Sequence, residues 1–238
     1  SLGKGDTASN NAAEVDLSRT DIVQYSSIAD VAGGLQFRQT NGDTLTGVSV
    51  SDAFNNLDGL SRRSRLRYDT PTFSGFHLAG SLVSDQRYDA SLWWGGQGYG
   101  FKAAGAAAFS DPNQDDTDFQ YSASFSLLHE DTGLNLTLSS GLRQRDDQGD
   151  QENFYAKVGW LTTFFSFGET GFGVDYTRSM NLPTGRDDGY SVGAAAVQHI
   201  DEYGTEIYLQ YRHHSLDRDV EPSVQDINVG TIGARVKF

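Results

Sequence analysis

The stretch that decides the fold is residues 119–145, "FQYSASFSLLHEDTGLNLTLSSGLRQR". In its first half, Phe, Tyr, Ala and Leu take every second position, and Gln and Ser take the positions between. After the turn "EDTG" (130–133), leucines alternate with Asn, Thr, Ser and Arg in the same way. Because successive side chains of a strand point to opposite faces, the pattern predicts an antiparallel hairpin with one apolar and one polar face.

The same alternation recurs from residue 62 onward and predicts eleven strands, most of them near the ~9–11 residues of a membrane-spanning strand. They cover residues 62–69, 76–84, 87–95, 100–109, 118–129, 134–145, 152–164, 171–180, 189–200, 205–216 and 227–238. Tight turns such as 131–133 alternate with longer acidic loops such as 111–118 and 217–226, although the link 84–86 is short. That alternation is typical of outer-membrane barrels.

Composition excludes several classes of protein. A net charge of −14 argues against nonspecific nucleic-acid binding, and the absence of cysteine excludes disulfides and Cys-based metal sites. The mean hydropathy of −0.48 looks soluble, but a membrane barrel has the same average because only every second residue meets lipid. The longest apolar run, "AAGAAAF" (103–109), is far short of the ~20 residues of a membrane helix.

Two environments for the apolar face remain open at this point. In a soluble sandwich that face packs a core, whereas in a barrel it meets lipid. Tyr and Trp near strand ends favour the membrane, since these rings prefer the lipid–water interface. The aromatic residues near predicted strand ends are Tyr88, Trp94, Tyr99, Trp160, Phe164 and Tyr190.

Four segments resemble the Gram-negative general porins. In "RRSRLRYDTPTFSGF" (62–76), the residues matching that family's pattern are Arg65, Arg67, Tyr68, Pro71, Phe73, Gly75 and Phe76. The other segments are "YAKVGW" (155–160), "GTEIYLQYRHHSLDR" (204–218) and "GARVKF" (233–238). The resemblance covers nearly the whole chain in order and spacing.

The resemblance implies an all-β fold, a transmembrane antiparallel β-barrel like a sixteen-stranded porin, of which eleven strands are in this chain. "SLGKG" (1–5) then resembles the end of the fifth strand, with the earlier strands missing. On this interpretation residues 1–60 hold that strand end and a long inward-folded constriction loop, residues 61–238 hold the barrel strands, and the whole is one domain. The alternative is a self-contained 12-stranded barrel with "LQFRQ" (35–39) or "TGVSVS" (46–51) as the extra strand.

The function implied is passive diffusion of small hydrophilic solutes and ions through the bacterial outer membrane, filtered by a charged constriction. The family resemblance further implies a multi-pass homotrimer in contact with outer-membrane lipid and lipopolysaccharide, with periplasmic tight turns and extracellular acidic loops. Its assembly signal for the barrel-assembly machinery would be Phe238 and Val236. A non-conducting barrel acting as surface anchor or adhesion protein is the alternative. No catalytic motif is present, so no enzymatic activity is expected.

Candidate pore residues lie in the long loop and on the polar strand faces. The loop offers Glu14, Asp16, Asp21 and Asp30, and Ser18 or Thr20 could cap a short helix there. Carboxylates in a narrow throat attract cations because low-dielectric walls focus the field; the alternative is solvated loop charge. Arg63, Arg65 and Arg67 share one strand face, either as a basic strip on the lumen wall or as anchors of the loop. Further lumen candidates are Arg143, Arg145, Lys157, Asp175, Glu206, Arg212, Arg235 and Lys237.

No cofactor is expected. The acidic loop "DPNQDDTD" (111–118) places Asp111, Asn113, Asp115 and Asp118 at loosely calcium-like spacing. It lacks the glycine and distal glutamate of an EF-hand, so loop-bound calcium is weighed against solvated surface charge.

Overall fold

The computed structural model of this chain describes residues 1–114, 116–146 and 149–237. Its strands are β1 (Leu2–Asp6), β2 (Gln36–Arg38), β3 (Leu45–Ser49), β4 (Arg62–Asp69), β5 (Phe76–Val83), β6 (Arg87–Gly98), β7 (Phe101–Asp111), β8 (Thr117–His129), β9 (Leu134–Arg145), β10 (Gln151–Phe165), β11 (Gly168–Met180), β12 (Asp188–Ile200), β13 (Thr205–Asp217) and β14 (Ile227–Val236). Helix α1 spans Val50–Ala53, and 3-10 turns span Ile28–Asp30 and Asp201–Tyr203.

Twelve of these strands form one antiparallel sheet, in the order β1-β4-β5-β6-β7-β8-β9-β10-β11-β12-β13-β14. From β4 onward each strand pairs with the next along the chain, and β1 pairs with β4 across residues 7–61. This is the meander that the alternating turns and loops predicted. Its end strands in the described part of the chain are β1 and β14.

The eleven predicted strands are confirmed as β4 to β14. Strands β4 and β9 begin and end at the predicted residues, and the others differ by a few residues at their ends. The twelfth strand of the sheet, β1, lies in the segment 1–5 that resembled a strand end.

The two segments considered as an extra barrel strand, 35–39 and 46–51, do not join the large sheet. They contribute to β2 and β3, which pair with each other as a separate hairpin. The physical reason is packing: Phe37 and Val50 are buried in a small apolar cluster with Phe54 and Leu216, which holds the hairpin against the sheet.

The two faces of the large sheet carry opposite chemistry. On β10 the neighbouring residues Lys157 and Val158 are 1% and 61% exposed, respectively. The polar face, hereafter the inner face, buries Ser, Thr, Asn, Gln and charged side chains, whereas the outer face leaves Leu, Val and aromatic side chains in the open. A water-soluble protein buries the second set and exposes the first. The inverted pattern is that of a barrel whose outer face meets lipid.

Aromatic rings lie on the outer face near both ends of the strands. At the long-loop end, Phe109 contacts Tyr88 and Tyr121. At the tight-turn end there is a second group. Trp160 packs edge-on against Phe164, with ring centroids 5.6 Å apart, and Phe164 in turn contacts Phe172. On β5 and β6, also at this end, the ring centroids of Phe76 and Trp94 lie 5.9 Å apart. Aromatic girdles of this kind mark the lipid–water interface of membrane barrels.

Residues 7–61, hereafter the inner loop, fold back onto the inner face. They contain the β2–β3 hairpin and α1, which begins with a capping box between Ser49 and Asp52. The short helix predicted to follow Ser18 or Thr20 is wrong, because the hydroxyls of both residues bond Lys157 Nζ on the sheet instead. No helix among the described residues is long and apolar enough to cross a membrane.

The inverted faces make a direct prediction for Val158, which lies at the middle of β10 on the outer face. Val158→Lys is expected to lower the free energy of unfolding from lipid vesicles by about 2–4 kcal/mol, because a lysine would stand in hydrocarbon. Guanidinium titration of vesicle-embedded protein measures this. Glu202→Lys, at an exposed tight turn, is the matched control and is expected to change stability by less than about 0.5 kcal/mol. If Val158→Lys leaves the free energy of unfolding unchanged, Val158 lies in water, which would contradict the assignment of the outer face to lipid.

Candidate functional site

The inner loop is fastened where it leaves β1. Arg65 Nε donates to the carbonyl of Asp6 at 2.9 Å, and Arg67 Nη1 donates to that of Thr7 at 2.7 Å. Arg67 also forms a bidentate pair with Asp69, which holds its guanidinium in place. These are the contacts of anchors, one of the two roles considered from the sequence. Arg63 lies on the same face and is exposed.

Serines of the inner face bind the backbone of residues 12–17 of the inner loop. Ser124 Oγ donates to the carbonyl of Ala12 at 2.6 Å and accepts from the amide of Val15 at 3.0 Å. Ser126 Oγ accepts from the amide of Leu17 at 3.0 Å. Because a small hydroxyl both donates and accepts, it can satisfy a loop backbone that has no ladder partner.

Asp89 on β6 adds a charged contact between the inner face and the inner loop. Its carboxylate accepts from the amide and the hydroxyl of Ser9, at 2.9 and 2.6 Å. The hydroxyl of Ser9 in turn accepts from the amide of Leu60 at 3.0 Å, which ties the two ends of the inner loop together. Sequence reasoning missed Asp89, although its position on the polar face of β6 could be read from the alternation.

A buried ion pair lies at the centre of the attachment. Lys157 Nζ contacts the carboxylate of Asp16, and the side chains of the two residues are 0% and 3% exposed. Lys157 Nζ also donates to Ser18 Oγ at 2.7 Å and to the carbonyl of Gln24 at 2.8 Å. Asp16 accepts a further bond from the amide of Ser18 at 2.9 Å. Both charges are therefore fully bonded, which a buried pair requires if it is to stabilise the fold.

Glycines on the inner face let the loop come close to the sheet. A Cβ at Gly141 would stand 2.4 Å from the carbonyl oxygen of Asn56, and one at Gly173 would stand 2.1 Å from Gln24 Oε1. Such distances are shorter than any real contact, so a side chain at Gly141 would push the loop backbone away, and one at Gly173 would displace the side chain of Gln24.

A polar cavity of about 510 Å³ opens between the inner loop and the long-loop end of β8 and β9. Its walls include three carboxylates, the phenol of Tyr25 and the guanidinium of Arg143. The carboxylates, hereafter the acidic cluster, are Glu14, Asp30 and Asp58.

Each member of the acidic cluster is held by loop contacts. Asp58 accepts the amides of Asn11 and Ala13, at 2.5 and 2.8 Å, and Tyr25 donates to Asp30. Glu14 accepts from Asn56 Nδ2 at 2.8 Å. Sequence reasoning named Glu14 and Asp30 but missed Asp58.

Burial and mutual repulsion shift the titration of this cluster. Burial, followed by the charge of Asp58, raises the pKa of Glu14 to about 7, against the opposing effect of the bond from Asn56. Burial likewise raises the pKa of Asp58, although its bonds from the loop amides act in the opposite direction. The charge of the cavity wall therefore changes with pH near neutrality.

A second cavity, of about 610 Å³, lies at the tight-turn end. Its walls carry Asp21, Glu130 and Asp131, together with Arg19 and Lys102. Arg19 is paired with Glu169, and Lys102 lies 3.1 Å from Glu130. The inner loop thus lies between two cavities, one toward each end of the strands.

The remaining predicted residues are spread along the wall. Arg143 Nε donates to Gln120 Oε1 at 2.8 Å, and the side-chain Nε2 of Gln120 donates to the carbonyl of Leu57. This arginine therefore supports the loop indirectly. Arg145 pairs with Asp116 at 2.6 Å. Val236 ends β14 and is 56% exposed. Phe238, predicted with it as an assembly signal, lies outside the described residues.

Other predicted lumen residues are engaged in ion pairs of their own. Arg212 forms a buried bidentate pair with Asp175, with both bonds at 2.7 Å. Glu206 accepts from Arg235 at 2.5 Å and from Lys237 at 2.7 Å.

The predicted loop-bound calcium stays a prediction. Asp115, one of its four ligands, lies outside the described residues. Asp111 Oδ1 accepts the amide of Asn113 at 2.7 Å. Within the described ranges, no three or more His, Cys, Asp or Glu side chains are grouped so as to hold a metal ion.

Comparison with known proteins identifies the fold. No protein-family model matches this chain. No curated protein sequence matches it. Among solved structures, it is similar to a loop L8 deletion mutant of OmpT, an outer membrane protein of Vibrio cholerae, with a TM-score of 0.54 and 12% identity over 98% of this chain and 74% of that one. It is similar also to an anion-selective porin from Comamonas acidovorans, with a TM-score of 0.55 and 10% identity over 99% of this chain and 71% of that one. The fold is thus the transmembrane antiparallel β-barrel of outer-membrane proteins.

The buried pair predicts how the inner loop is held. Lys157→Met leaves the Asp16 carboxylate buried without its partner, at a cost of about 3–5 kcal/mol, so amide protection at Val15 and Leu17 is expected to fall by roughly a hundredfold or more. Hydrogen exchange followed by mass spectrometry or NMR measures this protection. Adding Asp16→Asn to Lys157→Met is expected to restore part of it.

Lys102→Met is the matched control for this prediction. Its ammonium is paired with Glu130, but the two side chains are 48% and 39% exposed, and exposed pairs contribute little. Protection at Val15 and Leu17 is expected to stay unchanged. Equal effects of the two lysine substitutions would show that the inner loop is not held by the buried pair.

Proposed function

We propose that this chain forms the wall and the constriction of a passive diffusion channel in the bacterial outer membrane, of the general-porin kind. It passes small hydrophilic solutes and ions, without coupling to an energy source and without enzymatic chemistry. The observation that carries the proposal is the inverted sheet: apolar side chains cover the outer face, and a long loop is fixed to a polar inner face. A loop held inside a barrel narrows the space that the barrel encloses.

The mechanism is sieving combined with electrostatic filtering. The inner loop is attached through backbone bonds to serines and through the buried Lys157–Asp16 pair, so its segment around Asp16 and Leu17 is held against the wall and narrows the bore. Apolar solutes would have to enter a passage lined by charged and hydrogen-bonding groups, which favours hydrated solutes and ions. Charges focused by low-dielectric walls then act on each permeating ion.

The acidic cluster gives this channel a preference for cations on the loop side. Glu14, Asp30 and Asp58 face one cavity together with a single arginine among its lining residues, Arg143. Carboxylates in a confined space stabilise cations and repel anions. Arg63 on β4 is exposed and carries charge of the other sign.

Orientation and partners complete the proposal. The tight turns face the periplasm and the long acidic loops face outward, as short and long connections do in outer-membrane barrels. The chain works as a homotrimer among outer-membrane lipid and lipopolysaccharide, and the barrel-assembly machinery reads the C-terminal strand through Val236 and Phe238. The resemblance to general porins supports these assignments.

Recording from planar lipid bilayers tests the channel directly. Purified protein is expected to insert in discrete steps and to carry ohmic current in potassium chloride at low voltage. Heat-modifiable migration in gels shows in parallel that the protein is folded. A folded barrel that stays silent would contradict the channel and would favour the surface-anchor alternative.

The raised pKa of Glu14 predicts a pH-dependent selectivity. Its carboxyl is mostly neutral at pH 6 and mostly ionised at pH 8, because its pKa is about 7. The cation-to-anion permeability ratio, from the reversal potential in a salt gradient, is therefore expected to rise between these two pH values. Glu14→Gln is expected to flatten that rise, whereas Glu202→Gln, at an exposed turn, leaves it intact. A rise that persists in Glu14→Gln would assign the titration to another group.

The same shift has a consequence for stability. A carboxyl whose pKa is higher in the folded protein binds more protons when folded, so its contribution is greatest below its ordinary pKa. Glu14 therefore favours the folded loop at low pH, and this contribution is lost as pH rises from 4.5 through about 7.

A further inference from the structure

The loop between β13 and β14, residues 218–226, hereafter the outer loop, is joined to the inner hairpin by a single β-bridge. Val224 lies opposite Gln39 in an antiparallel bridge. The amide of Thr40 donates to the carbonyl of Ser223 at 2.9 Å, and the amide of Gln225 donates to the carbonyl of Arg38 at 2.8 Å. Backbone pairing of this kind joins two segments without depending on their side chains.

Apolar packing backs the pairing. Val224 in the outer loop and Ile227 at the start of β14 pack against a buried cluster that is formed by the inner loop and the wall. The inner loop supplies Ile28, Phe37, Val50, Ala53 and Phe54, and the wall supplies Tyr155 and Leu216. The outer loop is thus part of a small apolar core on the inner face.

The start of the outer loop is also fixed. Asp187, in the connection before β12, is 1% exposed. Its carboxylate accepts the amide of Asp219 at 3.0 Å and the hydroxyl of Thr184 at 2.8 Å, and it pairs with Arg218 at 3.4 Å. The outer loop therefore spans from the wall to the hairpin with both parts held.

We infer that the outer loop is a clamp that positions the inner loop and so sets the bore of the channel. This inference rests on the proposed function, because a bore has meaning only for a channel. The clamp acts through the two backbone bonds at residues 38–40 and 223–225 and through Val224 in the apolar core. When it opens, the hairpin is free to shift, and the channel moves between conductance levels.

A reversible cross-link tests the clamp. The chain contains no cysteine, so in the double variant Gln39→Cys, Val224→Cys the two introduced cysteines can form a disulfide only with each other. These residues form a non-hydrogen-bonded antiparallel pair, whose Cα atoms lie roughly 4.5 Å apart, within the range that a disulfide spans. In planar bilayers, the oxidised channel is expected to show fewer transitions between conductance levels than the same channel after reduction. Equal transition rates before and after reduction would overturn the clamp.

A second variant opens the clamp instead of locking it. Val224→Asp places a carboxylate in the apolar core. Loss of the two backbone bonds is expected to raise the population of the displaced hairpin by roughly tenfold. Transitions should become more frequent, and amide exchange at Thr40 and Gln225 should quicken by a similar factor. Val220→Asp, in the same loop but 51% exposed, is the matched control and is expected to change neither.

The two readouts separate the clamp from the channel. If neither the wild-type protein nor any variant conducts, the proposed function fails. The amide exchange rates at Thr40 and Gln225 still decide whether the outer loop holds the hairpin. If the protein conducts but Val224→Asp exchanges and fluctuates like Val220→Asp, the channel stands and the clamp is wrong. Failure of the cysteine pair to form a disulfide in folded protein would likewise refute the pairing.

Discussion

Backbone hydrogen bonding in a medium without water is the constraint on which this structure depends. In hydrocarbon, an unpaired N–H or C=O costs several kcal/mol, so a membrane-spanning sheet must pair its strands along their whole length. From β4 to β14 each strand pairs with the next along the chain, and β1 pairs with β4. Within this paired sheet the side chains divide by medium. Val158 and its outer-face neighbours meet lipid, and Lys157 turns inward to polar partners.

The polar inner face explains how a long irregular loop is held inside. A soluble protein would hold such a loop with an apolar core. Here most of the attachment is made by hydroxyls, by carboxylates and by the buried pair of Lys157 with Asp16. Polar attachments are directional, so they hold the segment from Ser9 to Asp16 in one position on the inner face. The small apolar core around Phe37 and Phe54 is the exception, and it lies where the outer loop joins the hairpin.

The sequence predicted the wall far better than the loop, and the reason is physical. A strand in a lipid-facing barrel carries a period-2 signal in every residue, so β4 and β9 could be placed to the residue. The path of the inner loop is decided by contacts between distant parts of the chain. Asp16 and Lys157 are 141 positions apart, and no local pattern links them.

The site residues divide along the same line. Glu14 and Asp30 could be named because they are charged residues of a loop that resembles a constriction, but Asp58 joins them only through the fold. Ser18 and Thr20 looked like helix caps because caps are local, and a distant lysine takes their hydroxyls instead. Lys157 itself was predicted to line the lumen. Its side chain points to the inner face, but it is buried between the sheet and the inner loop.

The central claim is that the apolar outer face of the sheet meets lipid. The accessibility of spin labels along a single strand to oxygen and to a water-soluble nickel complex tests it most directly. The chain has no cysteine, so spin labels can be attached one at a time to residues 154–160 of β10 in bilayer-embedded protein. The account predicts that labels at Phe154, Ala156, Val158 and Trp160 collide with dissolved oxygen and are shielded from a water-soluble nickel complex. Labels at the alternate positions should avoid oxygen. If instead the even-numbered positions are reached by the nickel complex, the apolar face lies in water and the barrel interpretation is wrong.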